Sequence, residues 1–144
     1  MKTDRIAIGA RIGHSPDPAF FVSWTELLRG GLRPNDVVLM PAVGMPHSGA
    51  ANTLVERFLN TDCDALLFVD DDMVFNSETL NALRETPSDH AILSALYTTR
   101  REPIRPIVLH RVPDGYKPRK PELCHGVVDC DVVGLGFTLF SREL

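Results

Sequence analysis

Asp70, Asp71 and Asp72 stand in a row directly after the apolar run Ala65-Leu66-Leu67-Phe68-Val69. Carboxylates crowded in this way repel one another unless something positive uses their oxygens, and a hard divalent ion or a phosphate-bearing ligand would do so. The plain alternative is a solvated acidic turn that opens the next helix. Basic residues cluster locally at Arg100, Arg101 and Arg105 and again at Lys117, Arg119 and Lys120. His47 precedes a helix start, where anions are attracted. Cys124, His125, Asp129 and Cys130 are zinc-capable types without a recognised spacing. The chain has 3 cysteines and no CxxC pair, so they are expected to be buried strand residues rather than a disulfide framework.

The frame for these residues is ordinary. With 144 residues, 44% hydrophobic and 24% charged, the chain is expected to form one domain around one core. A net charge of −4 argues against a general nucleic-acid binder, which needs a concentrated basic surface. No apolar run approaches the roughly 18 residues that span a bilayer. The charged start leads straight into Ile6-Ala7-Ile8 rather than a signal-peptide core, so a cytoplasmic location is expected.

Periodicity then assigns elements. Residues 5–10 predict a first strand, 11–18 a loop broken by Gly13, Pro16 and Pro18, and 19–29 a helix with Phe20, Trp24, Leu27 and Leu28 at helical spacing. Residues 37–40 predict a second strand and 42–47 a loop. Ser48 is the expected N-cap of a helix whose apolar stripe is Ala51, Leu54, Val55, Phe58 and Leu59, with Asn52 and Glu56 off it. A third strand over 65–69 enters the acids, a helix follows from Ser77 to about residue 85, and 91–97 predicts a fourth strand.

This alternation implies right-handed βαβ crossovers, a parallel sheet and an α/β fold. Ligands of such sheets bind at the carboxyl ends of the strands, so the acids, the Arg11 loop and the 42–47 loop should converge on one edge. Farther on, 106–112, the turn Pro113-Asp114-Gly115 and 127–133 predict antiparallel or edge strands. Gly134-Leu135-Gly136 and a short strand over 137–140 come next. Residues 116–122, with Pro118 and Pro121, predict a mobile loop.

Taken together, the strand entering Asp70-Asp71-Asp72, the helix carrying Ala50-Ala51-Asn52, the segment Leu96-Tyr97-Thr98-Thr99-Arg100-Arg101-Glu102-Pro103 and the segment Val132-Val133-Gly134-Leu135-Gly136-Phe137-Thr138-Leu139-Phe140-Ser141-Arg142 resemble the GT-A glycosyltransferases, family 2-like members in particular. The likeness runs in order over nearly the whole chain. It implies a three-layer Rossmann-like nucleotide-diphospho-sugar transferase domain whose central sheet is mostly parallel and becomes mixed toward the C-terminus. A nucleotide-binding βαβ part would occupy 1–97 and a smaller acceptor-side part, cut short, 98–144.

The resemblance further implies that Asp70 and Asp72 hold Mn²⁺ or Mg²⁺ against the diphosphate of a nucleotide-sugar donor. Arg11, Asn52 and Asp71 would lie on the nucleotide side, and Gly134 and Gly136 would form the turn on the acceptor side. A bound dication stabilises the charge that develops on a departing nucleoside diphosphate, and hard oxygen ligands suit these ions better than zinc.

The chain departs from the family pattern in several places. Ala51 replaces the arginine of the frequent Ala-Arg-Asn stretch, which leaves Arg11, Arg100 or Arg101 to meet the diphosphate. The second strand ends Leu39-Met40-Pro41 without the acid that often reads the base. Relatives usually carry the general base after the Gly-x-Gly strand; here the acids toward that end are Asp129, Asp131 and Glu143, and no catalytic residue is assigned. The chain is then expected to be a minimal enzyme, a donor-binding half completed by a homo-oligomer or a partner chain, or an excerpt of a larger domain, and the acceptor is unspecified.

Two other classes remain open. Asp70-Asp71-Asp72-Met73-Val74 fits the nucleophile motif of haloacid-dehalogenase-like phosphohydrolases, with Asp70 attacking phosphorus and Ser94 as their second motif. Against this, two strand-helix units precede the motif, and no clear lysine and paired-acid motifs follow. A non-catalytic module that binds a nucleotide-sugar or a glycan is the other alternative.

Overall fold

The computed structural model of the protein describes residues 4–99 and 102–144, so Arg100 and Arg101 lie outside the described residues. The chain divides into two units, Met1–Leu93 with Leu135–Leu144, and Ser94–Gly134. The division differs from the sequence boundary at residue 97, because the C-terminal strand returns to the first unit.

The first unit holds β1 (Ile6–Ile12), α1 (Pro18–Glu26), β2 (Val37–Val38), β3 (Ala42–Val43), α2 (His47–Leu59), β4 (Ala65–Asp70), α3 (Glu78–Glu85), most of β5 (Ile92–Ser94) and, after the second unit, β9 (Phe137–Ser141). Their sheet runs β2-β1-β4-β9-β5, with β3 also pairing β1. β2, β3 and β4 are parallel to β1, and β9 is antiparallel to β4. The result is a mixed α/β architecture. Consecutive residues of a strand point to opposite faces, and Ile6, Ala7 and Ile8 in β1 and Ala65 through Val69 in β4 are all buried, so both faces of the centre are covered.

One face is covered by α2. Ala50, Leu54 and Phe58 pack with Ala7, Leu39, Ala42, Cys63, Leu66 and Phe68. A Cβ on Gly9 would come within 2.9 Å of Leu54 Cδ2, so the bare glycine is what lets the helix sit this close to β1. The buried row 50-54-58 is rotated from the predicted stripe: Ala51 is only partly buried, and Val55 and Leu59 are exposed. The helix also begins at His47 after Pro46, so Ser48 lies inside the first turn and is not the N-cap.

Other boundaries shift for local reasons. β1 continues through Arg11 and Ile12, predicted as loop, because Ala42 and Val43 pair beside them; that pairing also turns part of the predicted 42–47 loop into a strand. α1 starts at Pro18, with the Asp17 carboxylate accepting from the Ala19 amide at 2.9 Å, and its last turn widens into a π-turn over Leu27–Gly31. The predicted strand over 91–97 shortens to β5.

Two arginines staple this unit. Arg142, just past β9, donates to the carbonyls of Cys63 (2.6 Å), Thr61 (2.6 Å) and Phe58 (3.0 Å), closing the C-terminal end of α2 where a cation is favoured, and it stands 4.4 Å from the Phe58 ring centre. Arg84 meets Asp36 at 2.6 Å in a fully buried ion pair, while the same carboxylate accepts from the amides of Ile6 (3.0 Å) and Arg33 (2.8 Å). Buried charges persist when they are paired and hydrogen-bonded in this way.

The second unit is built on β6 (Val108–Val112), β7 (Gly115–Pro118) and β8 (Val132–Val133), ordered β7-β6-β8 and antiparallel. The Pro113-Asp114-Gly115 turn closes the β6–β7 hairpin as its chemistry predicts, with Gly115 at φ 131°. β7 takes up 116–118 of the predicted 116–122 mobile loop, and only the last two residues of the predicted 127–133 strand pair. Cys124 is half-buried and Cys130 exposed, both outside strands, so these two are not buried strand cysteines; Cys63 is buried but precedes β4. No helix among the described residues is long and apolar enough to cross a membrane.

Candidate functional site

Parallel pairing of β1 with β4 sets Arg11 directly beside Asp70. Register partners in a parallel pair project to the same face, so the two side chains meet at the carboxyl rim of the sheet. Arg11 Nη2 lies 2.5 Å and Nε 2.6 Å from Asp70 Oδ1, and the guanidinium covers the Phe68 ring at 5.6 Å. Burial pushes the Asp70 carboxyl above its ordinary value of 3.8; Arg11 pulls it down, neighbouring Asp72 pushes it further up, and His47 pulls it down. Net, the proton is held more tightly than usual despite the ion pair, because the site is only partly open to water.

The rim has further members. The Asp70 amide donates to Gly136 O at 2.9 Å, which brings one glycine of the Gly-x-Gly turn against the acids. His47, expected in the loop before the helix, is instead the exposed first residue of α2 and acts on Asp70 electrostatically. His14, after β1, places Cε1 3.7 Å from where a Gly44 Cβ would stand, and Gly44 itself has φ 66°. The Asp71 carboxylate accepts from the Gly13 amide at 2.7 Å. Asp72 is exposed. Asp70, Asp71, Asp72, Arg11, His47 and Gly136 are therefore brought together on one edge, where strand alternation predicts the ligand side.

Other predicted residues fall elsewhere. Asn52 is exposed on α2, away from the rim contacts of Asp70 and Asp71 with Arg11, Gly13 and Gly136. Gly134 belongs to the second unit, where a Cβ would stand 1.9 Å from Tyr97 Oη; the group that exploits its missing side chain is a tyrosine of the same unit. The Asp131 carboxylate accepts from the Arg111 amide at 2.7 Å in that unit. Glu143 follows Ser141, whose partner on β4 is Ala65, so it lies at the opposite end of β4 from Asp70. Sequence reasoning did not find the Asp71–Gly13 contact, the His14–Gly44 approach or the Asp36–Arg84 pair, since each joins segments distant in sequence.

Among the described residues no group of three or more His, Cys, Asp or Glu side chains converges as a preformed metal cage. Magnesium-type sites that act on phosphates do not need one: they take one or two carboxylates from the protein and the rest from phosphate oxygens and water. Both Arg11 contacts to Asp70 fall on Oδ1.

No family model matches the chain, and no curated protein matches it. Among solved structures it is similar to A197 from STIV, with 19% identity and a TM-score of 0.57 over 96% of this chain. The chain spans 65% of the length of that protein. At this identity the likeness establishes the shared α/β fold.

Proposed function

We propose that this protein is a GT-A glycosyltransferase, family 2-like, which binds the diphosphate of a nucleotide-activated sugar at the carboxyl rim of its sheet through Mn²⁺ or Mg²⁺ held by Asp70 and Asp72. The observation that carries this is the position of the acids: they close a central strand parallel to β1, beside a buried arginine and against Gly136. A sheet parallel over β2, β1 and β4 that turns mixed where β9 enters accords with the finer fold, as does the smaller second unit.

When bound, the dication would offset the charge that forms on the leaving nucleoside diphosphate. The protein's own part is preorganisation. Arg11 is 9% exposed and already oriented at the rim, so it supplies positive charge with little reorganisation and takes the place of the arginine lacking at Ala51. Glu143 is not suited to take the acceptor proton, because it lies at the far end of β4. A phosphohydrolase is less well supported: that nucleophile would be expected at the end of the first strand, whereas β1, β2 and β3 precede the strand of Asp70.

Calorimetry with a panel of nucleoside diphosphates, with and without Mn²⁺, tests the proposal. Binding is expected only with metal and is expected to vanish in Asp72→Ala, whose circular dichroism and melting stay as in the wild type. Equal affinity in Asp72→Ala would remove the metal assignment. A nucleotide-sugar bound without any hydrolysis or transfer of its sugar would favour the non-catalytic module.

A further inference from the structure

We infer that Asp71 is a positioning residue, which latches the loop between β1 and α1 onto the acid rim and acts on the donor site proposed above through that loop rather than by touching the donor. This rests on the nucleotide-binding reading of the rim. Asp71 holds the loop at its entry, at its first residue and at its exit. Its amide donates to Arg11 O at 3.2 Å, its carboxylate Oδ2 accepts from the Gly13 amide at 2.7 Å, and its carbonyl accepts from the Asp17 amide at 2.9 Å. Asp17 in turn caps α1 through the Ala19 amide at 2.9 Å. A few residues on, the Phe75 amide donates to Ser23 Oγ at 3.0 Å, so the segment after the acids is also tied to the middle of α1, where Ser23 is buried.

The middle acid therefore has one carboxylate oxygen, Oδ2, committed to the protein. A Cβ at Gly13 would stand 3.4 Å from Asp71 Oδ2, in ordinary van der Waals contact. A loop held this way is ordered before any ligand arrives, so a donor lying along the rim meets fixed amides rather than a segment it must first organise. The bond to Gly13 needs an acceptor oxygen, not a charge. Asparagine at 71 can provide it and alanine cannot.

The test pairs amide hydrogen exchange over residues 13–17 in the ligand-free protein with calorimetry of the nucleoside diphosphate panel in the presence of Mn²⁺. In Asp71→Ala, the Gly13 and Asp17 amides are expected to exchange at least about tenfold faster and the tightest-binding nucleotide to weaken about tenfold, while Asp71→Asn stays within about threefold of wild type on both. Should the alanine variant not fold, Asp71→Ser, too short to reach Gly13, takes its place. Equal loss of nucleotide affinity in the Asn and Ala variants with unchanged loop exchange would make Asp71 a ligand contact and overturn the inference. If the wild type binds no nucleoside diphosphate, the donor-site reading fails, and unchanged exchange in Asp71→Ala would then also remove the latch.

Discussion

Arg11 and Asp70, 59 residues apart in sequence, are register partners on adjacent parallel strands, and their side chains form an ion pair at 2.5 Å with side-chain exposures of 10% and 24%. The pair is thus largely withdrawn from water, yet it stands at the edge of the sheet where ligands of parallel sheets bind. Removing one partner from such a pair leaves the other charge poorly solvated, whereas removing both leaves nothing to compensate.

Arg11→Met is therefore expected to destabilise the protein by roughly 2 kcal/mol, less than a fully buried pair would cost because Asp70 can take up a proton. In combination with Asp70→Asn the loss should be smaller than the sum of the single losses, with a coupling of about 1 kcal/mol. Urea unfolding of the four proteins in the cycle measures it, and strict additivity would show the contact to be energetically idle.

Acid should act on Asp70 in a particular direction. Burial raises its native pKa above 3.8, so between that raised value and 3.8 the native state holds a proton that the unfolded chain has released. The proton-linked part of the Asp70 contribution to stability accordingly grows as pH falls through the native pKa, is complete below 3.8, and is absent at neutral pH, where the ion pair with Arg11 acts alone. The stability of wild type relative to Asp70→Asn should improve on acidification through this window, while other carboxylates cancel in the difference. A difference that is flat, or that moves the other way, in urea titrations from neutral pH to below 3.8 would refute the raised value.

Arg142 offers a control at the opposite end of β4. Arg142→Ala removes the donors from the carbonyls of Phe58, Thr61 and Cys63 and should cost about 1–2 kcal/mol, with Arg142→Lys recovering only part because an ammonium lacks the planar fork. Nucleotide binding at the rim should be unchanged in both, as calorimetry would show.

Gly134→Ala would set a methyl 1.9 Å from Tyr97 Oη and 2.9 Å from Cζ, so the ring must move, at a cost of about 1–3 kcal/mol. Tyr97→Phe in the same background should return part of that loss. If Gly134→Ala unfolds in urea at the wild-type midpoint, the close approach of Tyr97 is not a constraint on the second unit.

What the sequence determined by itself was whatever depends on neighbours along the chain. The apolar run into Asp70-Asp71-Asp72 becomes β4 ending at its acids, the 3.6-residue spacing around Leu54 and Phe58 becomes α2, and Pro113-Asp114-Gly115 closes a hairpin. Placing ligand-side residues at strand ends also followed from the alternation of elements, which is why Arg11, His47 and the acids share one edge.

Tertiary structure alone decided how those residues pair. Which acid Arg11 would meet depends on the register of two strands separated by two helices and two short strands, and neither segment encodes that offset by itself. The antiparallel entry of β9 beside β4 carries Gly136 to the acids and Glu143 away from them, and the face that α2 buries follows from its close seat over Gly9. Local periodicity specifies an element and its apolar side; the register, order and direction of strands are set by long-range packing, and on those the chemistry of the rim depends.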